Sequence, residues 1–323
     1  MTEKIETIAW EAARGRLVPV LRAATIFQGK FDGNKGPIRR RFLPFLVTAV
    51  GIDSDNSFQY VSDTQVGEWN VDLDTIFTTA HDNAVRFFDG SDVARYGGAS
   101  SALWHVARDD SYESSRILVP GWLAGFEGRV SGRPVAIVPS RSRLIVGGDG
   151  DEAGLAQLIE SAQREYAASP RSISPALYTV DDAGAVIPLV LPPSHPLASK
   201  VVVGHAMLAA DEYEVQRAHL QQRLGDDVYV AKLTAYEREH DVTIVTTWTE
   251  GALSLLPRAN VVALLSVNDD NKAEHHFTVP WQSLIDIAGE CLRLDPAYDP
   301  PRWWTERWPD AVTFEKLRAV AVP

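Results

Sequence analysis

Apolar residues recur along this chain with two periods, and the alternation between those periods predicts its elements. In VDLDTIFTTAHDNAVRFFDG, Leu73, Ile76, Phe77, Ala80, Ala84 and Phe87 repeat at helical spacing. Asp72 can cap the start of that helix and Gly90 can close its end. DEAGLAQLIESAQREY repeats the pattern, with Leu155, Leu158, Ile159, Ala162 and Tyr166 on one face. Asp149, Asp151 and Glu152 stand where the helix dipole favours negative charge, so GGDGDEAG reads as a cap and not as a phosphate loop. A third helix is predicted from about Asp211 to Leu224, ended by Gly225. A fourth follows Pro280, with Trp281, Leu284, Ile285, Ala288 and Cys291 on one side. SYESSRILVPGWLAGF reads as a helix interrupted near Pro120.

Between these helices the spacing drops to that of strands. FLPFLVTAVGI and FQYVSD flank the turn DSDNS as a hairpin, and SALWHVARD reads as a strand. VAIVP and RLIVGG flank SRS, and ALYTV and AVIPLVL flank DDAG. Further on, VYVAKLTAYERE and VTIVTTWT make a long hairpin, followed by NVVALLSV and, across NDDNKAE, HHFTV. This order lacks regular βαβ alternation, which argues against a doubly wound dinucleotide fold. It predicts an α+β protein, hairpin-rich, with mainly antiparallel sheets, packed helices and two subdomains. LPPSHPLASK, with three prolines in six residues, is the boundary candidate, giving subdomains 1–191 and 192–323.

Composition narrows the function. With 323 residues, 45% hydrophobic and 23% charged, the chain is long enough for two ordinary domains with little disorder. A formal charge of −12 repels phosphate backbones and anionic lipid heads, so neither nucleic acid nor a membrane is expected as partner. Cys291 is the sole cysteine, which excludes an intramolecular disulfide and a cysteine-based zinc site. MTEKIETIAWEAARG lacks the apolar run of a signal peptide, and the longest apolar runs fall short of the roughly 20 residues of a membrane span. A cytoplasmic protein is the expectation. No motif calls for a cofactor.

The segments AHDNAVRF, DDSYESSRILVPGW, VAIVPSRSRLIV, VTTWTEGALSLLPRANVVAL and VPWQSL…YDPPRWW, taken in that order, resemble the YtpQ-like family of bacterial proteins of unknown function. They span roughly residues 70 to 304. Ser142 stands where the family pattern is expected to carry an acidic residue after PSR. The resemblance implies the same fold class and a cytosolic protein. It brings no reaction, cofactor or catalytic residue.

Candidate chemistry is sparse. Ser114 and Ser115 in SYESS, with His105 on the preceding strand, are the one serine–histidine combination for a hydrolase, although no glycine-flanked elbow presents either serine. The competing reading is that Ser111, Glu113 and Ser114 cap a helix. His275 or His276 with Asp269, Asp270 or Glu274 would make a His/Asp metal site, but adjacent strand residues point to opposite faces and a polar turn is favoured, so no metal ligand is assigned. Asn83 falls on an apolar stripe, either bonding a neighbouring segment or bordering a cleft with His81. Arg39, Arg40 and Arg41, with Lys35, form a basic patch that would shield a strand edge or meet an acidic partner or a phosphate group.

Five of the nine tryptophans fall in the last quarter, and PPRWWTERW alternates Arg302 and Arg307 with Trp303, Trp304 and Trp308. Its rings would either lock a strap onto the hairpins or offer a platform to a protein or peptide partner, since Trp and Arg dominate binding hot spots. With no assembled catalytic constellation, the sequence is read as a non-catalytic interaction or regulatory module. The hydrolase or His/Asp metal enzyme is the alternative.

Overall fold

The computed structural model describes residues 8–29, 36–54, 57–88, 92–98, 101–108, 110–238, 241–267 and 272–322. The chain is α+β, with helices packed on mostly antiparallel sheets. It divides into two units, Met1–His205 and Ala206–Pro323.

The first unit opens with α1 (Trp10–Ala13), β1 (Leu17–Ala23), β2 (Arg39–Leu43), β3 (Leu46–Ser54) and β4 (Ser57–Tyr60). The sheet order is β1-β3-β2, with β4 also on β3, and every pairing is antiparallel. Strand alternation sends Leu17 to one face and Val18, Val20 and Arg22 to the other. Leu17 joins Val50, Ile52, Ile76, Phe77 and Ala80 in one core, whereas Val18 and Val20 pack with Phe27 and Ala49. The first core is closed by α2 (Asp63–Trp69) and α3 (Leu73–Phe87). A reciprocal Ser62–Gln65 capping box starts α2, and the Asp72 side chain accepts the Thr75 amide at 2.8 Å to start α3, as its sequence predicts. Gly90, the predicted stop, lies outside the described residues.

A second sheet follows, built from β5 (Val93–Arg95), β6 (Trp104–Val106), β7 (Pro134–Ser140), β8 (Arg143–Gly148), β9 (Leu177–Val180) and β10 (Val186–Pro188). Its order is β10-β9-β7-β8-β6-β5. The predicted helix α4 (Glu152–Ala168), capped by Asp151, buries Leu155, Leu158, Ile159 and Ala162 against Val135, Ile137 and Ile145. SYESSRIL is not an α-helix. It forms a 3-10 helix, Glu113–Leu118, without a side-chain cap, and a second 3-10 turn spans Ala124–Phe126. The predicted capping role of Ser111, Glu113 and Ser114 is thereby corrected: no side chain caps this helix, and the Ser114 hydroxyl is drawn into a long-range bond described below.

Helix α5 (Ala198–Leu224) starts well before Asp211. Its first two turns carry three consecutive valines, Val201–Val203, and Gly204, which disfavour helix locally, but Leu197 and Val201 are buried among Leu155, Leu158 and Leu177 and that packing prevails. The division between the units falls inside this helix, after the Pro-rich stretch. Gly225, at φ 71°, ends it in the left-handed region that glycine adopts without strain.

The second unit contains β11 (Tyr229–Val230), β12 (Thr234–Arg238), β13 (Asp241–Thr249), β14 (Ser254–Pro257), β15 (Val261–Val267) and β16 (Ala273–Pro280). These are followed by α6 (Trp281–Ala288), β17 (Leu292–Asp295), β18 (Arg302–Thr305) and α7 (Ala311–Arg318). Two sheets form, β12-β13-β15-β16 and β11-β14-β18-β17. Two pairings are parallel, β13 with β15 and β11 with β14, so the predicted run of consecutive hairpins is interrupted. VYVAKLTAYERE, read as one strand, divides between the two sheets. Trp248, Leu256, Val262, Leu264, Val279, Trp281, Leu284 and Leu317 make the core. Each large apolar side chain withdrawn from water in this way contributes about 1.5–3 kcal/mol.

Candidate functional site

The residues singled out by sequence do not assemble into a catalytic centre. Ser114 and Ser115 have no exposed surface. Ser114 Oγ donates to the Arg141 carbonyl at 2.9 Å, and Ser115 Oγ accepts the Leu21 amide at 3.1 Å. His105 sits between β5 and β8 in the second sheet, its ring edge-on to Tyr96 at 5.6 Å and its Nδ1 buried without a hydrogen-bond partner. Both hydroxyls are therefore spent on backbone, and neither is bonded to His105. The serine hydrolase expectation is corrected by that geometry.

Asn83 is buried and donates to the carbonyls of Arg14 and Leu17 at 2.7 and 3.0 Å, while Arg86 donates to its Oδ1 at 3.1 Å. It ties α3 to the start of β1 and lines a cavity of about 620 Å³ with Trp10, Thr79 and Arg86. His81, its predicted neighbour in a cleft, does not line that cavity; its Nδ1 bonds the Phe77 carbonyl at 2.8 Å. Arg39, Arg40 and Arg41 are all exposed on β2, an edge of the first sheet. Arg40 pairs with Asp74 and lies 4.3 Å over the Phe77 ring. Lys35 lies outside the described residues, as do Asp269 and Asp270 of the His/Asp expectation. His275 Nε2 bonds Thr278 Oγ1 at 3.0 Å, and His276 stacks edge-on against Phe314. Among the described residues no group of three or more His, Cys, Asp or Glu side chains is placed to hold a metal ion.

The tryptophan-rich segment is a strand and not a strap. Arg302 has no exposed surface, which corrects its assignment to a binding face. Its guanidinium donates to Gln216 Oε1 at 2.6 Å, to the Ala231 and Leu255 carbonyls at 3.0 Å and to the Tyr213 carbonyl at 3.1 Å. Burial among neutral acceptors pushes its pKa down to about 10, so it stays a cation at neutral pH. Trp303 is half-buried and packs edge-on against Trp281 at 4.8 Å. Trp304 donates through Nε1 to Asp295 at 2.9 Å. Arg307 is exposed and paired with Glu290 at 2.7 Å.

The site that the structure does assemble was not predicted. A cavity of about 450 Å³ in the first unit is lined by Val18, Arg22, Phe58, Phe88, Tyr112 and Arg141, with Asp53, Arg108, Asp110 and Ser111 at its polar wall. The buried serines build it. Ser115 holds the backbone of β1 beside Arg22, and Ser114 holds the β7–β8 turn at Arg141. The next residue, Arg116, is fully buried and grips Asp110 in a two-bond pair at 3.1 and 2.7 Å, with Asp92 at 3.5 Å. Ser111 adopts φ 64°, a left-handed conformation that costs a residue with a side chain on the order of 1–3 kcal/mol, between Asp110 and Tyr112 on the cavity wall.

Charge inside this cavity is not balanced by the protein. Arg22 is 6% exposed, and its Nε and Nη1 donate to Tyr60 Oη and the Leu21 carbonyl at 2.7 Å; among the described residues no carboxylate pairs with it. Burial holds its pKa below the ordinary value; the Tyr60 hydroxyl opposes that shift and the nearby positive charge of Arg141 adds to it. Arg141, half-buried, pairs with no carboxylate among the described residues. Tyr112 is pushed up, first by burial and then by its hydrogen bond to Asp53, so it stays protonated as a donor. Its ring lies 6.1 Å from Phe58 and 6.0 Å from Phe88, forming an aromatic wall.

The architecture defines a two-unit α+β protein with an arginine-lined cavity in its first unit. No family model, no curated protein and no solved structure matches the chain. No helix among the described residues is long and apolar enough to cross a membrane.

Proposed function

We propose that the protein is a non-catalytic binding module that captures an anionic ligand in the cavity between Arg22 and Arg141. One observation carries this reading: two guanidinium groups face a single cavity in a chain of net charge −12, and neither has a carboxylate partner among the described residues. Buried cations are ordinarily paired or fully hydrogen-bonded, and an anionic ligand between Arg22 and Arg141 would supply the partner that no carboxylate among the described residues provides. The cavity volume lies within the range of about 300–1,000 Å³ common to small-molecule sites, and its mixture of apolar walls with a few convergent polar groups fits recognition. The hydroxyls that would have served as nucleophiles are structural, which supports recognition over turnover. The resemblance to the YtpQ-like family is compatible with this reading and adds no chemistry to it. A protein or peptide partner is retained for one surface, the exposed edge strand β2, where an acidic chain would meet Arg39 and Arg41 on the face opposite to the Asp74-paired Arg40.

A thermal-shift panel of organic anions tests the proposal. At least one anion is expected to raise the melting temperature of the wild-type protein with concentration, because a ligand of the native state alone stabilises it by mass action. Arg141→Gln should abolish the response, and Arg39→Gln, which removes the same charge outside the cavity, should keep it. Failure of every anion, or equal loss in both variants, would overturn the assignment.

A further inference from the structure

We infer that the ligand of the arginine cavity is a carboxylate monoanion on a flat apolar body, and that Asp53 excludes phosphomonoester dianions. This rests on the anion-binding reading above and goes on to name the ligand class. The lining carries three arginines and two aspartates. Arg108 is paired with Asp92 at 3.1 Å, and Asp110 is held by Arg116, so neither contributes net charge to the cavity. Arg22, Arg141 and Asp53 remain, with a residual charge of one positive unit. A carboxylate would bring the cavity to neutrality. A phosphomonoester, close to doubly charged at neutral pH, would leave an excess negative charge beside Asp53.

Shape points the same way. A guanidinium fork matches a planar carboxylate in a two-bond arrangement. Behind the arginines, Val18 and Phe88 are buried and Phe58 is half-buried, with the Tyr112 ring between the two phenylalanines. These rings line the cavity, and an aromatic surface of this kind favours a flat ring in offset or edge-on contact. Asp53 itself is exposed at the end of β3 and accepts the Tyr112 hydroxyl, so it is fixed at the cavity mouth and not folded away from it.

Phenylacetate and phenyl phosphate form a matched probe pair, each with one atom between ring and anionic head. Titration calorimetry of the full chain at about pH 7.5, where the phosphate ester is mainly a dianion, should show phenylacetate binding at least about tenfold more tightly. Phenylacetamide, which lacks the charge, should not bind. Asp53→Asn keeps a carbonyl for Tyr112 and raises the residual charge by one, so it should narrow or invert the preference by about tenfold. Equal or tighter binding of phenyl phosphate by the wild type would overturn the monoanion inference while leaving the anion cavity standing. An unchanged preference in Asp53→Asn would remove Asp53 from the selectivity. No heat from either anion, together with no organic anion stabilising the protein, would overturn both readings.

Discussion

Replacing Ser115 with alanine separates scaffolding from nucleophilic chemistry. Ser115 is fully buried, and its Oγ accepts the amide of Leu21 at 3.1 Å. β1 lies at the end of its sheet order, so an amide directed away from β3 meets no strand there. Alanine strands that amide in the core, at a cost of about 1–3 kcal/mol. Ser114 makes a weaker contrast. The Arg141 carbonyl accepts from both Ser114 Oγ at 2.9 Å and the Ser114 amide at 3.3 Å, so Ser114→Ala leaves one bond and should cost only about 0.5–1.5 kcal/mol. Urea denaturation with a shared slope reads both differences as midpoints. Amide exchange at Leu21 localises the effect. Ser115→Ala is expected to lower the midpoint and speed Leu21 exchange, with Ser114→Ala changing both less. Wild-type stability with Leu21 still protected in Ser115→Ala would refute the scaffolding argument and return the serine to the list of reactive groups.

Two further outcomes follow from buried groups elsewhere. Arg302→Met removes the donors to Gln216, Ala231, Leu255 and Tyr213; after relief of the buried cation it should destabilise by roughly 2–4 kcal/mol in a denaturant titration, whereas a wild-type midpoint would show that those bonds add nothing. His205 has its Nε2 buried without a partner, and burial holds its imidazole below the ordinary value. The folded state thus binds fewer protons than the unfolded chain, so this contribution is full above the unfolded value of about 6.5 and is lost progressively as pH falls from there through the lowered folded value. Melting temperatures from neutral to acid pH should fall less steeply for His205→Asn than for wild type, and parallel slopes would discount the effect.

Local signals in the sequence were sufficient for α3 and α4, whose apolar stripes and aspartate caps lie within a single stretch of chain. The hairpins β3–β4, β7–β8 and β12–β13 were legible for the same reason. β18 was not. RWWT reads as an aromatic segment between prolines, and its strand identity comes from β14 on one side and β17 on the other. The parallel pairing of β13 with β15 likewise has no local signature. The cavity was the least legible part, because Arg22, Asp53 and Arg141 come from separate strands and turns and nothing in their immediate neighbours marks them. A clue was present in DDSYESSR, where so many polar residues followed by an apolar run invite the question of what they bond once buried. The answer, that Ser114, Ser115 and Arg116 brace the cavity, needed the partners Arg141, Leu21 and Asp110 to be seen.

The place of β18 between β14 and β17 has a consequence for biosynthesis. Gln216, Ala231 and Leu255, the acceptors of Arg302, all precede it in the chain, and β17 pairs with β18 alone in its sheet among the described residues. Translation at about 5–20 residues per second therefore delivers three strands of that sheet before the one that joins them. A nascent chain that has emerged as far as Asp295 holds β17 with no neighbour and a set of acceptors awaiting one guanidinium. Emergence of Arg302–Thr305 from the ribosome supplies strand and donor together, so this sheet is completed only when those four residues arrive, and α7, whose Leu317 joins the core, follows later still.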